Sequence, residues 1–240
     1  MTRFPKVLVG CGLALLCCYA VYASAFLTYH IRYKLSLDLD VDGTVQMSSG
    51  VVGVDYPIGT DFFAPIGGGR AFYGVFRGNA VTIDLHEHGL LFVVNQMALG
   101  DGALRRRGST SLAYLPLKVF GYPTEGLPSQ MAKLVSDLAG RSGSVDVPID
   151  MLPMFVRFRT PSDRTSLEEL NPADLASAYG GAVTLLRARL TLTSDAITPI
   201  PTSWPKWLIA AVDDPAAHVY NWRRGQPNTP FVVDDFIGKY

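Results

Sequence analysis

Cysteine is nearly absent from this chain of 240 residues, and all three copies, Cys11, Cys17 and Cys18, fall inside one early apolar run. The remaining sequence therefore has no disulfide framework, no thiolate zinc site and no cysteine nucleophile. Charge of one sign is also missing: 21 Lys and Arg balance 21 Asp and Glu, which speaks against a nucleic-acid binder. Histidine occurs four times, and no Gly-x-Ser-x-Gly elbow is present, so the usual nucleophilic hydrolase signature is lacking. There is no internal repeat and no low-complexity tract that would mark a linker.

One feature is present in excess. Val7 to Tyr29 runs without a charge between Lys6 and His30. As a helix rising ~1.5 Å per residue it spans about 34 Å, enough for a hydrocarbon core roughly 30 Å thick. Arg3 and Lys6 precede the run, and Ala23-Ser24-Ala25 has the small-x-small pattern of a signal-peptidase site. The run continues past that site through Phe26 and Leu27, which favours an uncleaved anchor over a cleaved signal. A lipoprotein signal at Leu8-Val9-Gly10-Cys11 has too few apolar residues before its cysteine. Arg3 and Lys6 on one flank face Arg32 and Lys34 on the other; we take the N-terminus as inside. The expected division is an anchor or signal at 1–29 and an extracytoplasmic domain at 30–240.

Residues 30–42 alternate, with Ile31, Tyr33, Leu35, Leu37, Leu39 and Val41 on one face and charged or polar residues on the other. Asp42-Gly43 then signals a hairpin into a second strand over about 44–54. Further strands are expected at 71–77, 80–86 and 90–95, with a glycine- and proline-rich loop at 56–70. Met131, Leu134, Val135 and Leu138 follow Pro128 at helical spacing, predicting a helix over 128–139; a second at 109–121 is interrupted by Pro116. Strand alternation returns at 154–159. Asn171-Pro172 starts a short helix that Gly180-Gly181 ends, and 183–193 alternate again, with Leu186, Ala188, Leu190 and Leu192 on one face. The expected fold is α+β: a transmembrane helix followed by one domain with a single mixed sheet and a few short helices. The strands at 154–159 and 183–193 are expected to share that sheet, with the short helix as crossover.

Residues 152–198 resemble an uncharacterised family of small bacterial exported or membrane-anchored proteins. The resemblance lies in Leu152-Pro153, Phe158-Arg159, Asn171-Pro172, Gly180, Asp195 and Thr198, and extends loosely from Tyr33 to Trp207. It implies a bacterial, envelope-facing protein and carries no catalytic residues. The chain departs from the family's acidic residue after the Phe-Arg strand, having Thr160-Pro161 there.

Asp38-Leu39-Asp40-Val41-Asp42-Gly43 matches half of a calcium loop, but the twelfth position is Ser49 and a strand precedes it. Asp84, His86 and His88 would share a face on a continuous strand and suit zinc or iron, which is the basis of an alternative reading as a metal-dependent hydrolase. Gly89 argues for a polar turn instead. Gly67-Gly68-Gly69-Arg70 lacks the ending of a phosphate loop, and Arg105-Arg106-Arg107 reads as a solvated loop or a contact for anionic lipid headgroups. Trp204-Pro205-Lys206-Trp207-Leu208 suits either a membrane interface or packing at the domain edge. The favoured binding residues are Arg157, Arg159, Arg187 and Arg189, expected as a basic stripe for an anionic partner on the sheet's polar face. Together these readings describe a membrane-tethered envelope binding or scaffold module, held through residues 7–29, without cofactor, with an envelope protein as partner and no nucleic acid.

Overall fold

The computed structural model describes residues 27–59, 61, 73–95, 111–212 and 236–238. Strict alternation over β1 (Leu27–Val41) and β2 (Thr44–Ile58) produces two long strands paired antiparallel along their whole length. Asp42 and Gly43 both take positive φ, 52° and 79°, the left-handed pair that a two-residue hairpin turn needs. Asp tolerates that region through its short polar side chain, and Gly adopts it without steric cost.

The other strands are β3 (Val75–Arg77), β4 (Val81–Asp84), β5 (Leu90–Val93), β6 (Gly143–Asp146), β7 (Phe155–Phe158), β8 (Leu167–Leu170) and β9 (Val183–Leu192). They form two sheets rather than the single mixed sheet expected. One has five strands in the order β3-β2-β1-β9-β6 and the other four in the order β4-β5-β7-β8, and every pairing is antiparallel. The expected pairing of the 154–159 and 183–193 strands in one sheet is thereby corrected. β7 turns back through residues 159–166 to pair with β8, whose Glu168 lies opposite Arg157. β9 instead fills the position beside β1.

The main core lies between the sheets. Tyr33, Leu35, Leu37 and Leu39 of β1 are fully buried, as are Val54 and Tyr56 of β2, and they meet Ile83, Leu91, Val93 and Phe155 of the four-stranded sheet. Two helices close its side: α1 (Leu115–Val119) contributes Leu115 and Leu117, and α2 (Pro128–Gly140) contributes Val135 and Leu138. Both place proline in the first turn, where the missing N–H costs nothing, so Pro116 starts α1 instead of breaking a helix over 109–121.

The four-stranded sheet is buried on its other face as well. Phe92, Val156 and Phe158 pack there against Trp204, Leu208 and the returning segment Phe236–Ile237, with Phe92 centred 5.5–5.8 Å from the rings of Phe236, Trp204 and Phe158. α4 (Lys206–Val212) belongs to this second core, which the weak periodicity of the tail concealed. Trp204, 2 % exposed and donating from Nε1 to Thr82 Oγ1 at 2.7 Å, is a core residue and not a membrane-interface one.

Two local expectations need correction. Leu186 points outward, 53 % exposed, while Val183 and Leu185 are buried. A bulge between Asp38 and Leu39 causes this: Asp38 faces Arg187 and Leu39 faces Leu185, so the intervening residue is unpaired and the alternation shifts by one. The second concerns the membrane anchor. Leu27, Thr28 and Tyr29 are the first residues of β1, so a helix crossing a membrane has to end by residue 26; residues 1–26 lie outside the described residues. Among the described residues no helix is long and apolar enough to cross a membrane.

Candidate functional site

The four arginines do not form one stripe. Arg157 and Arg159 lie on or beside β7 of the four-stranded sheet, and Arg187 and Arg189 lie on β9 of the other. Each pair surrounds a carboxylate of the adjoining strand. Arg157 Nε donates to Glu168 Oε2 at 3.0 Å, and Arg159 Nε is 3.6 Å from the same oxygen. Arg187 grips Asp146 with two bonds of 2.9 and 2.8 Å, and Arg189 Nε reaches it at 3.4 Å. The hydrogen bond from Arg187 is the main reason that the Asp146 carboxyl is held below the usual carboxylate range and that the Arg187 guanidinium is held above its own. Arg157 is more enclosed, 17 % exposed, with its guanidinium carbon 4.4 Å from the centre of the Tyr179 ring.

Asp84, His86 and His88 sit where Gly89 indicated, in a single 3-10 turn over His86–His88 between β4 and β5. Asp84 Oδ1 accepts from the His86 amide at 2.9 Å, so that carboxylate holds the turn. His88 Nε2 lies 2.9 Å from Asp42 Oδ2, on the hairpin that links β1 to β2. Among the described residues no three His, Cys, Asp or Glu side chains come together as a metal-binding group. The structure instead joins residues from three separate motifs into one cluster: Asp42 meets His88, the His88 and Tyr179 rings meet edge to face at 6.2 Å, and Arg157 lies over Tyr179 and against Glu168. Tyr179 follows α3 (Leu175–Ala178), which Asp174 caps, after a 3-10 turn at Pro172–Asp174 capped by Asn171. Burial pushes its phenol up to about 12, against the opposing pull of Arg157. Among the described residues the buried Asp40 Oδ1 has no hydrogen-bond partner.

The opposite end of β1 carries a second cluster. His30 Nδ1 is 2.7 Å from Asp55 Oδ1, and Arg77 Nε donates to Asp55 Oδ2 at 2.6 Å; Asp55 is 13 % exposed, so two basic groups orient one shielded carboxylate. Arg32 points its Nη1 at the carbonyls of Ser194 and Asp195, and no carboxylate pairs with it among the described residues. His30 and Arg32 line two open clefts. One, of about 310 Å³, is completed by Arg141, Ser142, Thr193 and Ser194, and the other, of about 320 Å³, by Asp55, Arg77 and Ile197. Guanidinium, imidazole and hydroxyl groups of this kind suit an oxygen-rich anion. The sequence pattern gave no sign of this site, because Arg77, Arg141 and Ser194 are brought to His30 from distant parts of the chain.

β1 is therefore electrically polar. His30, Arg32 and Lys34 occupy its outer face near the start, and Asp38, Asp40 and Asp42 follow towards the turn. The hairpins at 35–50 and 79–95 hold Asp38, Asp40, Asp42, Asp84 and Glu87 and not one Lys or Arg. Gly67–Arg70 and Arg105–Arg107, weighed above, lie outside the described residues. No protein family, curated protein or solved structure matches the chain.

Proposed function

We propose that the chain is a single-pass, membrane-tethered module of the bacterial envelope that acts by binding an envelope partner and not by catalysis. In this reading residues 7–26 are the anchor, the N-terminus is inside, and the sheet domain lies in the periplasm or outside the cell. The observation that carries it is the charge order along β1, which begins at Leu27, within the last three residues of the apolar run. With no linker between them, the anchor would set the His30–Arg32–Lys34 end of β1 beside the lipid headgroups. Arginine and lysine side chains near anionic headgroups are attracted to them. Here the attraction is smaller, because Lys34 is within 3.8 Å of Asp195 and Arg77 is held by Asp55. The acidic residues would lie further along the strand, about 26 Å from Arg32 to Asp40 at ~3.3 Å per residue. The resemblance of residues 152–198 to exported or anchored bacterial proteins supports the same placement.

The hydrolase alternative loses its motivation once Asp84 is engaged by the His86 amide and His88 by Asp42. The test is a topology experiment in bacteria that express the full chain. Protease added to spheroplasts should remove the domain while leaving a membrane-embedded fragment, and an alkaline phosphatase fused after Tyr240 should be active. Protection from protease, or an inactive fusion, would overturn the placement.

A further inference from the structure

We infer that the outer edge of β2 over Val45–Ser49 is a strand-docking surface that takes an extended segment of a partner protein in which apolar and basic residues alternate. The inference goes beyond the tethered-module reading and needs only the sheet, although that reading narrows the choice of occupant.

The edge follows from register. A two-residue turn at Asp42-Gly43 makes Val41 and Thr44 a hydrogen-bonded pair, and the bonds to β1 then recur at Gln46, Ser48 and Gly50. The N–H and C=O groups of Val45, Met47, Ser49, Val51, Gly53 and Asp55 point the other way. Two independent contacts agree with this: Thr198 bonds both backbone groups of Val51, at 3.0 and 2.8 Å, and β3 pairs with Gly53 to Asp55. The chain thus covers its own edge from residue 51 onward. Over Val45, Met47 and Ser49 no described residue pairs with the backbone, which leaves three residues offering six hydrogen-bonding groups.

Protective devices are missing from this stretch. Thr44–Gly50 has no proline, no charge and no bulge, the features that normally blunt an open edge. Its side chains invite contact as well, since Val45 and Met47 are 63 % and 77 % exposed on the outer face. A strand added here would lay alternate side chains against Val45 and Met47.

Charge decides the occupant. Asp40 and Asp38 stand directly opposite Val45 and Met47 on β1 and share their face, so the basic side chains of an incoming strand would lie on that face, stems along Val45 and Met47 and heads towards the two carboxylates, with its apolar side chains on the other face. Arg187, which stands opposite Asp38 on β9 and attracts it, gives its hydrogen bonds to Asp146. Lysines or arginines on the incoming strand would meet the carboxylates of Asp40 and Asp38, the second partly balanced by Arg187, whereas an acidic strand would be repelled. A second copy fits less well. Pairing two β2 edges antiparallel about a twofold axis sends their Leu27 ends in opposite directions, which two copies tethered in one membrane cannot satisfy.

The test measures binding of the acetylated, amidated heptapeptide Lys-Val-Lys-Val-Lys-Val-Lys to the full chain in neutral detergent, by isothermal titration. Binding is expected, at least tenfold weaker for Met47→Pro and several-fold weaker for the Asp38→Asn, Asp40→Asn double variant. Met47→Pro removes an N–H that faces away from β1, so the hairpin ladder keeps all its bonds; Met47→Lys, which keeps that N–H and adds a repelling charge, serves as the second variant. The same peptide with alternate amides N-methylated should bind at least tenfold more weakly. Equal binding of the methylated peptide would mean charge attraction without strand pairing and would overturn the inference. So would equal binding by both Met47 variants, no binding at all, or a dimer of the chain that excludes the peptide.

Discussion

Replacing Tyr33 or Tyr56 by phenylalanine removes one oxygen from the middle of the main core and leaves the rings in place. Both hydroxyls are buried and donate to consecutive carbonyls, Tyr33 to Leu112 at 2.7 Å and Tyr56 to Ala113 at 2.6 Å, tying the segment before α1 to the five-stranded sheet. Each change strands a buried carbonyl without opening a cavity, so each should cost about 1–3 kcal/mol. The double variant should lose less than the sum, because the second bond matters less once the segment has come loose. Alkaline pH supplies a further check. Burial raises both phenols above their ordinary range, so above pH 10 the unfolded chain sheds protons that the folded chain keeps, and the folded state loses ground as pH rises. The stability these groups contribute is complete below pH 10 and falls by about 1.4 kcal/mol per tyrosine per pH unit above it. Urea unfolding of the full chain in detergent, followed by circular dichroism from pH 7 to 11, measures both effects. A loss under about 0.5 kcal/mol in each single variant, or an unchanged alkaline slope in the double one, would refute the reasoning.

Further outcomes follow from the same packing. Leu185→Ala should cost about 2–5 kcal/mol in urea unfolding and Leu186→Ala almost nothing, since only the first faces the core; the reverse order would place the bulge wrongly. Arg157→Ala should lower the melting temperature more than Arg187→Ala, because it uncovers Tyr179 and leaves Glu168 without its nearest partner. Gly238→Ala should loosen the second core, as a Cβ there would collide with the Phe76 carbonyl oxygen; increased protease cleavage near residue 236 and altered Trp204 fluorescence would report it, and wild-type behaviour would contradict the seating of that segment.

The sequence displayed β1, β2 and their turn because one face is wet and the other dry, which prints a period of two on the residues. It displayed α2 and the capped turn at Asn171 for similarly local reasons. It could not show which strands pair. β7 and β9 carry the same alternation, and only the eight-residue return to β8 assigns β7 to the other sheet. β6, Gly-Ser-Val-Asp at a sheet edge, and β8, Leu-Glu-Glu-Leu, are too short and polar to print a pattern, yet they supply Asp146 and Glu168, the carboxylates that divide the arginine stripe. The bulge at Leu186 was hidden because one inserted residue leaves each half of β9 alternating correctly. Both clusters at the ends of β1 draw on residues far apart in sequence, and spacing alone holds no record of them.

The tether itself is tested most directly by the intact mass of the protein recovered from carbonate-washed bacterial membranes. The account predicts the mass of a chain that still contains residues 7–26, retained in the membrane pellet. A chain beginning at Phe26, found in the soluble fraction, would contradict it.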